Sequence, residues 1–257
     1  MKKVTIFDFE FDCAESLEEI GEAILNFEHD ELGGKAPFLI TPNVDDIVNW
    51  GKKENEPLKR EFRKSFFVFP DGQPLVLFSR LIGKSLIRRT PGSSIFPVVW
   101  RKVKEQNKKA FLILANAELC QFYEKEYPLA RTYFPPFFSQ YHTSEISKIV
   151  GTCKAIIEEQ QPHFVFVGIQ FPKQNILALE LSKNIAVSRK PLFLILGASM
   201  EYYSEHLKRS PVFFQKIGME WFYRFCQQPV RLFKRYFIND ARIIVIFFKE
   251  LFKNEKT

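Results

Sequence analysis

The sequence predicts an α/β protein, a Rossmann-like parallel sheet followed by a basic helical appendage, and three observations carry that prediction. Short apolar runs alternate with longer amphipathic stretches from residue 38 to residue 197, the pattern of strands joined by crossover helices. The runs contain no alternating polar residues, so each strand is expected to be buried on both faces. Charge is uneven: 37 basic residues against 30 acidic ones give +7, and the last 50 residues, with 11 Lys or Arg against four acids, hold all of that excess.

Taken in order, the amino-terminal segment is broken by Asp8, Glu10 and Asp12 before any apolar stretch reaches the length of a signal peptide. Helices are predicted over Ser16–Phe27, Asn43–Gly51, Gln73–Ile82, Ala117–Glu126, Ser144–Gln160 and Lys173–Lys183, lengths that suit crossovers. Strands are predicted over Phe38–Ile40, Phe66–Phe69, Ala110–Leu114, Phe164–Val167 and Leu192–Leu196. The 15 prolines are spread through the loops and mark no boundary, and there is no internal repeat. One α/β domain over residues 1–205 and an appendage over residues 206–257 follow.

Composition narrows the chemistry. With 46% hydrophobic residues the chain can bury a sizeable core. Its four cysteines form no CxxC pair and its four histidines no HExxH helix, so no metal site is expected and a reducing, cytoplasmic setting is the natural reading. No two glycines stand two apart, which excludes the GxGxxG turn, and no GxxxxGKS or GxxxxGKT loop can be written. The apolar run Ile243–Phe248 is far short of the roughly 20 residues of a spanning helix. Cations mixed with Trp221, Tyr236, Phe248 and other aromatic residues suit an anionic phospholipid surface. A terminal helix packed on the core, or an interface with a partner subunit, fits the same composition. Nucleic acid does not, because no binding motif accompanies the charge. Phe213, Ile217, Trp221 and Phe225 recur at every fourth residue and read as a packing stripe.

In an open parallel sheet, ligands gather at the carboxyl ends of the strands. Polar residues follow four of the predicted strands: Thr41-Pro42-Asn43, Pro70-Asp71-Gly72, Pro172-Lys173-Gln174 and Gly197-Ala198-Ser199. A parallel sheet brings all four to one edge. Each also has a purely architectural reading: Asn43 as a helix cap with Asp46 three residues on, Asp71-Gly72 as a turn, Lys173 and Gln174 as exposed first-turn residues, and Gly197 as a packing position.

In order and wording these pieces resemble the WecG/TagA/CpsF glycosyltransferase family, glycosyltransferase family 26. The resemblance is carried by Thr41-Pro-Asn-Val-Asp-Asp-Ile-Val48, by Pro70-Asp-Gly72 with Gly83 and Arg89-Thr-Pro-Gly-Ser93, by Val167-Gly-Ile-Gln-Phe-Pro-Lys-Gln174, and by the block from Lys208 to Tyr236. It implies a metal-independent enzyme, peripheral on the cytoplasmic face of the cell membrane. Such an enzyme moves a sugar with inversion from a UDP-sugar, of N-acetylmannosamine type or a uronic acid, to a polyprenyl-diphosphate-linked acceptor sugar in cell-surface polysaccharide synthesis. It also implies that the appendage docks on the membrane and brings cations to the site. On that resemblance Asp71 is the base, and Thr41 and Asn43 orient substrate through neutral hydrogen bonds. Lys173, Gln174, Gly197 and Glu201 contact substrate. Arg89, Arg224, Arg231 and Arg235 neutralise the departing diphosphate. A continuous helix would place Arg224, Arg231 and Arg235 on one face, although Pro229 stands within that span and Lys234 competes with Arg235 for the last role.

The sequence departs from the family pattern at three places: Asn175, where Glu usually follows Pro-Lys-Gln; Ser94, in place of the aspartate of a Gly-Ser-Asp element; and Glu201, in place of an aspartate after the last strand. An altered donor sugar accounts for the cluster and leaves Thr41, Asn43 and Asp71 intact. A non-catalytic nucleotide-sugar or lipid-carrier binding subunit of a polysaccharide assembly complex is the competing reading, and homo-oligomerisation stays open.

Overall fold

A computed structural model of the chain describes residues 1–187, 190–208, 210–211, 213–214, 219–227, 229–233, 236 and 239–254. It begins with an antiparallel hairpin, β1 (Lys2–Ile6) and β2 (Phe9–Cys13). Phe7 and Asp8 turn it with positive φ at both positions, 54° and 65°, the handedness that matches strand twist. Asp12, 3% exposed, accepts hydrogen bonds from Lys3 Nζ at 2.7 Å and from the backbone N–H of Val68 at 2.9 Å, so the hairpin covers part of an otherwise open sheet edge.

That sheet has six parallel strands: β3 (Ala36–Ile40), β4 (Ser65–Val68), β5 (Ala110–Ile113), β6 (Ala130–Tyr133), β7 (Phe164–Val167) and β8 (Leu192–Ile195), in the order β4-β3-β8-β7-β5-β6. Five of the six are the predicted strands. The sixth, β6, reads Ala-Arg-Thr-Tyr and lies at an edge, where burial on both faces is not demanded of its sequence. The first and last strands of the sheet, β3 and β8, are neighbours, because the chain runs outward from β3 to β4 and resumes at β5 on the far side. A crevice opens at the carboxyl ends of strands arranged in this way.

The helices are α1 (Leu17–Leu25), α2 (Val44–Trp50), α3 (Glu56–Phe62), α4 (Gln73–Leu81), α5 (Gly92–Glu105), α6 (Ala117–Glu126), α7 (Thr143–Gln160), α8 (Lys173–Asn184), α9 (Ser199–Tyr203), α10 (Glu220–Gln227), α11 (Pro229–Phe233) and α12 (Arg242–Asn254). Alternate strand residues feed two cores. Phe38, Phe111 and Val165 face the hairpin, α2, α7 and α8, whereas Leu39, Leu112 and Phe166 face α1, α5 and α6. All six predicted helices are present within one or two residues of their expected ends. The prediction missed α5, whose Pro91 and internal Pro97 disguise the buried helical stripe Ile95, Phe96, Val99, Trp100 and Val103.

Two members of the expected packing stripe are exposed, while Phe225 is half-buried beside Tyr236. Phe213 is 66% exposed and Trp221 41% exposed, and Ile217 lies outside the described residues. The Trp221 ring of α10 meets the rings of Phe222 and Tyr236, with centroids 5.8 and 6.1 Å apart. The last helix does join the core: Ile243 and Phe247 of α12 are buried, and the Phe247 ring stacks on Phe78 of α4 with centroids 4.5 Å apart. Among the described residues no helix is long and apolar enough to cross a membrane.

Candidate active site

The four strand-end segments meet, as predicted, at the carboxyl edge of the sheet. They enclose an open cavity of about 560 Å³ whose wall includes Thr41, Asn43, Asp71, Gln174, Gly197 and Glu201. Gln227, Leu232 and Tyr236 of the appendage complete it. Backbone bonds lock the parts together. The Asp71 N–H donates to the Pro42 carbonyl at 2.9 Å, and the Thr90 N–H to the Pro70 carbonyl at 2.7 Å, which carries Arg89 to the same corner.

Several of these side chains hold the fold as well as facing the cavity. Asn43 caps α2: its Oδ1 accepts from the Asp46 N–H at 3.2 Å, while Asp46 Oδ2 accepts from the Asn43 N–H at 3.0 Å. The architectural reading of Asn43 is therefore correct, and its amide nitrogen remains for a ligand. Gln174 Oε1 accepts from the Gly197 N–H at 3.1 Å and so ties the start of α8 to the end of β8. Gly197 takes φ +54°, a left-handed turn that glycine adopts without penalty.

Asp71 is held asymmetrically. Its Oδ1 accepts from both Nε and Nη2 of Arg89 at 3.3 Å, whereas Oδ2 has no hydrogen bond to a described residue. The same Nη2 donates to Glu220 Oε2 of α10 at 2.6 Å. Burial works against the charge of Arg89, but Asp71 and Glu220 outweigh it and hold the guanidinium above its usual pKa. At the cavity wall, burial pushes the pKa of the Glu201 carboxyl up, with His206 opposing.

The amino terminus of α5, with Pro91 at its N-cap position, also reaches the cavity through Ser93. Gly92 permits the approach, because a Cβ there would lie 2.8 Å from Ser199 Oγ and 3.2 Å from Thr41 Oγ1. The helix dipole favours an anion at that point.

Other predicted positions are placed differently. Lys173 is not part of the cavity wall, and its ammonium sits over the rings of Phe137 and Phe138, 4.3 and 4.9 Å from their centroids. Arg224 falls in α10 and Arg231 in α11, and residue 228, which stands between these two helical stretches, lies outside the described residues. The side chains of Arg224 and Arg231, and Arg235 and Lys234 altogether, lie outside the described residues. Among the described residues no group of three or more His, Cys, Asp or Glu is placed to hold a metal ion.

Sequence reasoning missed three wall or site residues. Glu220 was counted only as an acid in a basic segment, although a buried acid among cations is itself a signal. Asn175 was noted as a departure and not as a site residue. It lines the cavity at 2% exposure, and its side-chain amide makes no hydrogen bond to a described residue. Trp50, also 2% exposed, lines the same cavity, and its indole Nε1 makes no hydrogen bond to a described residue. Buried polar groups without partners are rare in folded proteins, and a ligand is one way to satisfy them.

A polar cleft at the carboxyl edge of a parallel sheet, whose wall holds a carboxylate paired with a guanidinium, defines an α/β enzyme of the open-sheet class. The chain matches the model of the Glycosyl transferase WecG/TagA/CpsF family over residues 4–257 and belongs to that family; the protein is a glycosyltransferase. The resemblance read from the motifs is borne out. A protein of Bacillus spizizenii named N-acetylglucosaminyldiphosphoundecaprenol N-acetyl-beta-D-mannosaminyltransferase is 25% identical over 201 residues, 77% of this chain and 74% of that protein. A protein of the same name from Staphylococcus aureus strain MRSA252 is 27% identical over 222 residues, 86% of this chain and 84% of that one.

Proposed function

We propose that the protein transfers a sugar from a UDP-sugar, with inversion at the anomeric carbon, to a polyprenyl-diphosphate-linked acceptor sugar at a membrane surface. The observation that carries this reading is the asymmetry of Asp71: one oxygen is fixed by Arg89 and the other is uncommitted at the cavity wall. Oδ2 takes the proton of the acceptor hydroxyl as its oxygen forms the new bond to the anomeric carbon, and the bond from that carbon to UDP breaks. Thr41, Asn43 and Gln174 orient the two sugars through neutral hydrogen bonds. The developing charge on the diphosphate falls to Arg89, to Arg224, Arg231 and Arg235 of the appendage, and to the amino terminus of α5.

The relatives are named for transfer of N-acetylmannosamine to an N-acetylglucosaminyl diphospholipid. Those names support an N-acetylated sugar over a uronic acid here. The arginines do the work that a metal ion does in other transferases, so transfer is expected to continue in EDTA.

The test is a donor screen with a short-chain diphospholipid carrying N-acetylglucosamine, in which UDP release and product mass are both recorded. Acceptor-dependent UDP release with UDP-N-acetylmannosamine is expected. Asp71→Asn is expected to lower turnover by about 10²–10⁴-fold while UDP still binds. Unchanged turnover in that variant would remove Asp71 as the base. Tight UDP binding with no product from any donor would favour a non-catalytic binding subunit.

A further inference from the structure

We infer that Glu220 of the appendage is a positioning residue that keeps Asp71 competent by drawing Arg89 away from it. This rests on reading Asp71 as the base. A guanidinium facing a single carboxylate closes side-on, with two parallel N–H bonds that occupy both oxygens. Arg89 does not do so. It reaches only Oδ1, with both contacts at 3.3 Å, and spends its short bond of 2.6 Å on Glu220, 131 positions further along the chain. The triad is well shielded: the side chains of Glu220, Arg89 and Asp71 are 7%, 18% and 28% exposed. Competition between two carboxylates for one cation is strong in such surroundings.

Without Glu220 the guanidinium has one described partner left and closes onto Asp71. Oδ2 is then hydrogen-bonded as well, and the acceptor hydroxyl loses its base. Glu220 thus couples the seating of α10 to the chemistry at the end of β4, and a chain whose appendage is displaced holds its base occupied.

The experiment compares the full-length wild type with Glu220→Gln, Arg89→Gln and the double variant, each assayed with UDP-N-acetylmannosamine and the lipid-linked acceptor. Glu220→Gln is expected to lower kcat by about tenfold or more, with the KM of the donor unchanged. Glu220→Asp, which restores the charge, is expected to recover part of the loss. In the Arg89→Gln background, Glu220→Gln is expected to cost nothing further, because the residue acts through Arg89. Full activity of Glu220→Gln would overturn the inference, as would an equal loss in both backgrounds or a loss matched by a lower melting temperature. If Asp71→Asn retains turnover, the reading of Asp71 as base fails on its own, whatever the Glu220 and Arg89 cycle gives.

Discussion

Asp71 and Asn43 each commit part of one small side chain to the fold and leave the rest at the cavity wall. Asn43 gives its oxygen to the cap of α2 and keeps its nitrogen; Asp71 gives Oδ1 to Arg89 and keeps Oδ2. Both were legible in the sequence, because a polar residue directly after a buried strand has its place fixed by the strand itself. Glu220 was not legible as a partner of Arg89, since their meeting depends on how the appendage seats and on no local pattern. Glu201 illustrates the cost of such a site. Burial raises its pKa in the folded state, so the fold favours the neutral carboxyl. Its contribution is intact below the unfolded pKa of about 4.3 and is lost as pH rises through the folded value. Glu201→Gln is therefore expected to melt higher than the wild type at pH 8 and together with it near pH 4. A parallel shift at both values would show that the carboxyl charge is not the cause.

At the scale of elements, the strands with continuous apolar sequence and the helices with a clear apolar period were readable, and the exceptions have physical causes. Proline at two positions hid α5. The hairpin β1-β2 is specified by a turn, Phe7-Asp8, that lacks the glycine or asparagine usually seen with positive φ. What docks that hairpin is Asp12. Asp12→Ala leaves the buried Val68 N–H without its acceptor and is expected to cost about 1–3 kcal/mol, a drop in melting temperature of about 2–4 °C per kcal/mol for a chain of this size. An unchanged melting point would mean that water reaches the edge of β4. The start of α5 is tighter still. Gly92→Ala puts a methyl against Ser199 and Thr41 and is expected to cost about 1–3 kcal/mol. Because Thr41 is displaced, transfer should fall more than stability does, which activity and melting measured on the same preparation will separate.

At the scale of the whole molecule, the charge excess lies in the last 50 residues, where Phe213, Val230, Phe233 and Phe252 are exposed as well. The structure adds a direction to that segment. Helix α12 buries Ile243 and Phe247 against the body, and Glu250 pairs with Lys84 at 3.7 Å, while Ile244, Val245, Phe248 and Phe252 are each about half exposed. One face of the helix thus packs on the body and the other is exposed, with Arg242 and Lys249 in the same helix. A surface of this kind binds anionic bilayers through apolar burial and through cations worth about 1 kcal/mol each, and salt weakens only the second part. Replacing Val245, Phe248 and Phe252 together by Ser is expected to leave the melting temperature unchanged, because none of the three belongs to the core. Cosedimentation with phosphatidylglycerol vesicles is expected to weaken at least about tenfold, since each side chain contributes up to about 1.5–3 kcal/mol when fully buried. For the wild type, raising salt to 1 M is expected to weaken binding without abolishing it. Unchanged vesicle binding by the triple variant, with a change in oligomer size, would assign this face to a partner subunit instead.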